Sequence, residues 1–179
     1  MNVSTSVLWC CESWNLSILQ KRRLQTVERS MLRRFAAGRR RPAEEYIDWI
    51  RRATREAETA RNATGLRSWP HMASFRKWSW AGHVARMQEH RWASRMSSWR
   101  DAAWWAEQNH QTDRAGLRPM RPRPGHFSRW ETELSKFALS LGWGQWRYKA
   151  KTLTTAKWNS SGHEFARWAC KSISKAAVN

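Results

Sequence analysis

Cysteine is scarce in this chain, with three copies in 179 residues: Cys10, Cys11 and Cys170. An odd count without framework spacing excludes a secreted disulfide scaffold and makes a reducing, intracellular setting the expectation. Cys10 and Cys11 are adjacent, and so lack the Cys-x-x-Cys spacing that lets two thiolates reach one zinc ion. Acidic residues are also few, 14 against 33 Lys and Arg. Asp48, Asp101 and Asp113 stand isolated, so the closely placed carboxylates that hold a polymerase's metal ions are missing. No apolar run approaches the roughly 20 residues of a membrane-spanning helix. The N-terminus shows no charged region followed by an apolar one, so neither a leader peptide nor a membrane partner is expected. Tyrosine is nearly absent, at 2 copies, while tryptophan reaches 15.

What is present is positive charge. The excess is +19 with a pI near 11.4, and 25 of the basic residues are Arg against 8 Lys. The planar guanidinium fork suits phosphate and stacks on bases and aromatic rings. A chain that repels itself this strongly is expected to meet polyanions. The alternative is a generic basic surface, or an arginine-rich translated frame without selected function. Hydrophobic residues at 41% suffice for a packed core, so the chain does not read as wholly disordered.

Periodicity predicts an all-α fold, an irregular array of about six or seven helices with a Pro/Arg linker. The apolar run Val7-Leu8-Trp9 suits a short N-terminal strand or the tail of an element from a larger protein. Leu24, Val27, Met31 and Phe35 lie at helical steps, and Gly38 with Arg39-Arg40-Arg41 ends that helix. Pro42 suits a first helical position, with Glu44 and Glu45 in the first turn. Tyr46, Ile50, Ala53, Ala57 and Ala60 form a small-residue seam, stopped between Asn62 and Gly65. Ser68 is a plausible cap for a helix carrying Met72, Phe75, Trp78, Gly82 and Ala85. Trp92, Met96, Trp99 and Ala103 mark the next. Pro119, Pro122 and Pro124 alternate with arginines and read as an extended, exposed linker. Beyond it, Ser128 and Glu131 have capping-box spacing ahead of Trp130, Leu134, Phe137 and Leu141. Gly142 and Gly144 set a turn around Trp143, and two short helices are expected near 146–157 and 163–174. The regions are therefore 1–106 (a helical unit), 107–126 (linker) and 127–179 (a small helical unit).

Several segments, in order, resemble the C-terminal thumb and post-thumb region of non-LTR (LINE-type) retrotransposon reverse transcriptases. Leu8, Glu12 and Trp14 are similar to the "L-Y-G-x-E-x-W" stretch after the palm, with Cys10 in the region of the usual small residue. Leu32-Arg33-Arg34 resembles that family's "L-R-R" helix. The closest match is Trp78-Ser79-Trp80-Ala81-Gly82-His83-Val84-Ala85-Arg86-Met87, which resembles "R-W-x-G-H-V-x-R-M". Arg129-Trp130-Glu131 resembles "R-W-x-D", although the preceding Gly-Arg-Pro order is not kept. Trp143, Trp158 and Phe165 resemble the closing segment. The resemblance implies a fragment that grips RNA or DNA beside a polymerase core encoded upstream, in a nuclear or cytoplasmic ribonucleoprotein.

The candidate nucleic-acid-binding residues are Arg33, Arg34, Arg39, Arg40, Arg41, Trp80, His83, Arg86, Trp104, Trp105, Arg118, Arg121, Arg123 and Arg129. Trp80, Trp104 and Trp105 fall off the apolar stripes and could stack on bases. The bland alternatives are core packing for the indoles and a solvated linker for residues near Arg121. His83 has no Ser or Cys partner and no orienting acid nearby, so it reads as a helix-face side chain or a phosphate contact rather than a catalytic base. No catalytic residue, metal, cofactor or small-molecule substrate is expected. The rival readings are a stand-alone basic RNA-binding structural protein and a decayed reading frame.

Overall fold

The computed structural model describes residues 6–98 and 130–175. These are all-α, with no strand among the described residues and seven helices once abutting segments are merged. A 3₁₀ turn, Cys11–Ser13, precedes α1 (Ile18–Ala36), α2 (Tyr46–Ala63), α3 (Trp69–Arg86) and α4 (Trp92–Ser98). After the undescribed stretch come α5 (Thr132–Ser140), α6 (Trp146–Thr152), α7 (Thr155–Ser160) and α8 (Gly162–Lys175). The helix expected over 146–157 is broken at Leu153 and Thr154, where Leu153 turns extended. The Pro/Arg linker, and Trp99 and Ala103, expected on a helix, lie outside the described residues.

The short N-terminal strand is not there. Backbone N–H groups of Cys11, Ser13 and Trp14 each donate three residues back, to Leu8, Cys10 and Cys11, which curls the segment. Cys10 takes a left-handed conformation (φ 52°), and Leu8 and Cys11 become buried. They pack with Trp69 and Ala73 of α3, flanked by Leu16, Leu24 and Met72. Burying two apolar side chains three apart needs a turn; a strand would send them to opposite faces.

The described residues fall into two compact units, one of residues 6–80 with 155–175, the other of residues 81–98 with 130–154. In the first, α1 starts on a complete capping box, Ser17 with Gln20. Its inward stripe is not the one the apolar pattern suggests. Lys21 and Glu28 are buried and Leu24 and Met31 half-buried, whereas Val27 and Phe35 are exposed, Phe35 at 78%. Both buried charges find partners. Lys21 donates its Nζ to the Ala169 carbonyl of α8 (3.2 Å), and Glu28 accepts from the Trp69 N–H (3.1 Å). The Glu28 carboxylate thus meets an orphan donor and the positive end of α3. Burial still pushes its carboxyl above the ordinary range, outweighing that hydrogen bond and the charges of Arg61 and Arg29. In α2 the small-residue seam holds: Ala53 and Ala57 are buried, while Tyr46 at its start is exposed.

The deepest point of this unit is an indole pair. Trp78 of α3 and Trp158 of α7 are fully buried and stack at 4.1 Å with planes 2° apart. Trp78 Nε1 donates to the Trp158 carbonyl (2.9 Å) and Trp158 Nε1 to the Trp78 carbonyl (2.8 Å). Each ring thus satisfies the polar handle that burial would otherwise penalise. Phe165 of α8 closes the stack at 4.8 Å from Trp78. Beside it His71 and His163 share a hydrogen bond of 3.2 Å, with Phe75 stacked on His163 at 4.4 Å. Burial holds His71 below its usual pKa, helped by the charges of His163, Arg67 and Arg167.

In the second unit Leu134, Phe137, Trp146 and Ala150 are buried, as are Ala81, Val84 and Ala85 of α3. Helix α5 ends as the two glycines suggest. Gly142 is left-handed (φ 69°), its N–H donates to Leu139, and the Trp143 N–H reaches back to Ala138, a Schellman closure.

Candidate nucleic-acid interface

Helices α1 and α2 form an antiparallel hairpin closed by the loop 37–45, and this tip concentrates the candidate residues that the structure describes. Arg39, Arg40 and Arg41 are all exposed, as is Arg34 on the last turn of α1. Arg33 is half-buried and donates Nη1 to Thr54 Oγ1 at 3.4 Å, so it braces the hairpin.

The loop is built by carboxylates and one guanidinium. Arg52 of α2 donates Nε and Nη2 to the two carboxylate oxygens of Glu44 (2.8 and 2.9 Å) and Nη1 to Glu56 (2.9 Å). Its Nη2 also reaches the Arg39 carbonyl at 3.2 Å. Glu44 accepts from the Arg41 N–H (3.0 Å) and Glu56 from the Gly38 N–H (3.4 Å). Trp49 Nε1 donates to the Gly38 carbonyl at 3.2 Å. Glu44, expected in the first turn of the helix, lies instead in the loop before it, where it ties the loop backbone to Arg52. These bonds hold the Glu44 carboxyl down at about 2, chiefly through Arg52 and then the Arg41 N–H. Glu56 is lowered and Arg52 raised by the same contacts.

The electrostatic result is a separation of roles. One buttressed arginine engages Glu44 and Glu56, and Arg39, Arg40 and Arg41 are left exposed. Among the described residues, Arg34, Arg39 and Arg40 have no carboxylate within ion-pairing distance; Arg41 lies close enough to feel Glu44 and Glu56. Exposed rings flank these cations. Phe35 is 78% exposed and Tyr46 58%, and Tyr46 lies 5.7 Å from Trp49.

The other sequence candidates fare differently. Trp80 is half-buried and makes contacts of its own, which leaves it less free for stacking than its place off the stripe suggested. His83, one turn on, is exposed. Arg86 donates Nη1 to the Ala150 carbonyl at 2.9 Å, in the last turn of α6, where a cation satisfies an orphan acceptor. Trp104, Trp105, Arg118, Arg121, Arg123 and Arg129 lie outside the described residues.

Sequence reasoning missed the exposed aromatics. Trp9 (76% exposed), Trp92 (74%), Phe35 and Tyr46 were placed on apolar stripes or in a strand. A signal for Phe35 lies in the register Lys21–Leu24–Glu28–Met31, which also follows helical steps of three and four and is the buried or half-buried face. No group of three or more His, Cys, Asp or Glu that could hold a metal occurs among the described residues. Burial raises the Cys11 thiol, against the opposing effect of Arg76, which disfavours a reactive thiolate there. No described helix is long and apolar enough to cross a membrane. Compared with protein families, curated proteins and solved structures, the chain matches none.

Proposed function

We propose that this chain is a non-catalytic nucleic-acid-binding protein whose α1–α2 tip takes the sugar–phosphate backbone of RNA or DNA. The observation that carries the reading is the Arg39-Arg40-Arg41 loop, held by Arg52 through Glu44 and Glu56 while its own side chains face solvent. Fixing the loop backbone lowers the ordering cost of presenting three forks to phosphates. The overall charge of +19 would draw the polymer in before contact. The order of segments resembling a LINE-type reverse transcriptase tail supports the same chemistry. On that reading the chain is a C-terminal fragment working beside a polymerase core, in a nuclear or cytoplasmic ribonucleoprotein. A stand-alone basic RNA-binding protein would use the same surface, and a reading frame upstream encoding a paired-Asp palm separates the two.

The test is binding of purified, folded protein to labelled oligonucleotides in dilute buffer. If about six phosphates are neutralised, log K against log salt on duplex DNA has a slope near −5. Replacing Arg39, Arg40 and Arg41 together by Ala weakens binding without changing the melting temperature. Folded wild-type protein that ignores oligonucleotides in dilute buffer overturns the proposal.

A further inference from the structure

Cations alone do not distinguish one nucleic acid from another, since every strand carries phosphates. The tip has a second component. Phe35, on the last turn of α1, presents 78% of its surface to solvent, and Tyr46, on the first turn of α2, 58%. The loop that joins them carries the three outward arginines. Neither ring is needed to close the hairpin. The helix seam is made by Ala53 and Ala57, and the loop is tied by Trp49 to Gly38 and by Arg52 to Arg39. The Tyr46 ring lies 5.7 Å from that of Trp49, tilted by 44°. Exposed rings at the two ends of a loop carrying exposed guanidinium groups can serve as stacking surfaces for a flat π-system. In a duplex the bases are stacked and inaccessible; in a single strand they are free to leave the stack and lie on a ring while their phosphates meet the arginines.

We infer that the α1–α2 tip recognises unpaired, single-stranded nucleic acid, with Phe35 and Tyr46 as base-stacking platforms and Arg39, Arg40 and Arg41 as the phosphate clamp. The inference rests on the proposed nucleic-acid interface and names its substrate class. Stacking is sequence-tolerant, so the preference is for unpaired strands over duplex rather than for particular bases. Arg34, exposed one residue before Phe35, extends the clamp along the strand. Each base that stacks strengthens binding by about 5- to 150-fold over an equally charged ligand that cannot stack.

The experiment compares three ligands of about 20 phosphates per strand by fluorescence anisotropy: an oligothymidylate, the same backbone with abasic sites throughout, and a duplex. The full chain is used, as wild type, as Phe35→Ala/Tyr46→Ala, and as Arg39→Ala/Arg40→Ala/Arg41→Ala. Wild type is expected to bind the oligothymidylate at least fivefold more tightly than the abasic strand and the duplex. The aromatic double variant is expected to lose that ratio while keeping its duplex affinity and salt slope. The arginine variant is expected to weaken on all three ligands. Both rings are exposed, so the double variant retains its melting temperature, and the abasic ligand tests stacking on unaltered protein in any case. Wild-type binding equal on the abasic strand and oligothymidylate, or a ratio unmoved in the aromatic variant, overturns the single-strand inference and leaves the phosphate interface standing. Absence of binding to every ligand overturns both.

Discussion

Two places in the first compact unit use the same kinds of side chain to opposite ends. At Trp78 and Trp158, aromatic rings and polar groups are closed on one another: two indoles, two carbonyls, reciprocal hydrogen bonds and no exposure. At the α1–α2 tip the rings of Phe35 and Tyr46 stand in water beside arginines whose potential carboxylate partners are engaged by Arg52. The first place has nothing left to offer a ligand. The second has solvent-exposed donors and uncovered π-faces on a hydrogen-bonded loop. Aromatic and arginine content therefore does not itself mark a binding surface. What marks it is whether the local hydrogen-bond accounting is closed.

The contrast can be broken hardest at the core. Trp78→Ala removes a fully buried ring and leaves the Trp158 carbonyl without the indole donor it accepts from. A loss of about 3–5 kcal/mol is expected, read as a lower urea midpoint by circular dichroism. Affinity for oligonucleotide, corrected for folded fraction, stays unchanged. Trp78→Phe keeps a stacked ring but removes one donor and part of the volume, and about 1–3 kcal/mol is expected. A Phe variant as damaging as Ala would show that the reciprocal bonds outweigh the stacking.

Acid sharpens the same contrast. His71 is held below its ordinary pKa of 6.5 by burial, so the folded state prefers it neutral. The stability it allows is complete above pH 6.5 and falls as pH drops from there toward the lower folded value. Glu28 works the other way: its raised folded pKa adds stability as acid protonates it, down to its ordinary value of 4.5. Thermal melts of wild type between pH 7.5 and 5 should show a loss that His71→Gln lacks; parallel curves for the two proteins would refute the assignment.

At the tip the effects are smaller in stability and visible in binding. Arg52→Gln frees Glu44 and Glu56 to face the loop arginines and releases the Arg39 carbonyl. Oligonucleotide affinity is expected to fall about two- to fivefold with little change in melting temperature. Ala43 adopts φ 63° in the same loop, and Ala43→Gly should relieve at most about 1 kcal/mol. A marked destabilisation by glycine there would mean that the loop is held less firmly than its hydrogen bonds indicate.

Much of the helical frame was legible because periodic apolar spacing, the Ala53–Ala57 seam and the Gly142 turn are local signals. Of the proposed site, the sequence marks the arginines of the loop and not the exposed rings of Phe35 and Tyr46. Phe35 was assigned inward because an apolar residue at helical spacing usually is, and the true inward stripe carried Lys21 and Glu28, whose partners Ala169 and Trp69 lie far along the chain. The same distance hid the pairing of Trp78 with Trp158. Sequence spacing shows which face of a helix a residue occupies, not which distant carbonyl waits to satisfy it. The curl at Cys11–Ser13 was missed for a related reason: a short apolar run does not by itself separate strand from turn.

The most direct measurement is the salt dependence of oligonucleotide binding for wild type and for the variant with Arg39, Arg40 and Arg41 all changed to Ala. A phosphate clamp at the tip requires the log–log slope on duplex to become shallower by about 2.7, one increment of about 0.9 for each contact removed. Coincident slopes for the two proteins would contradict it, because the three arginines would then have been facing water and nothing else.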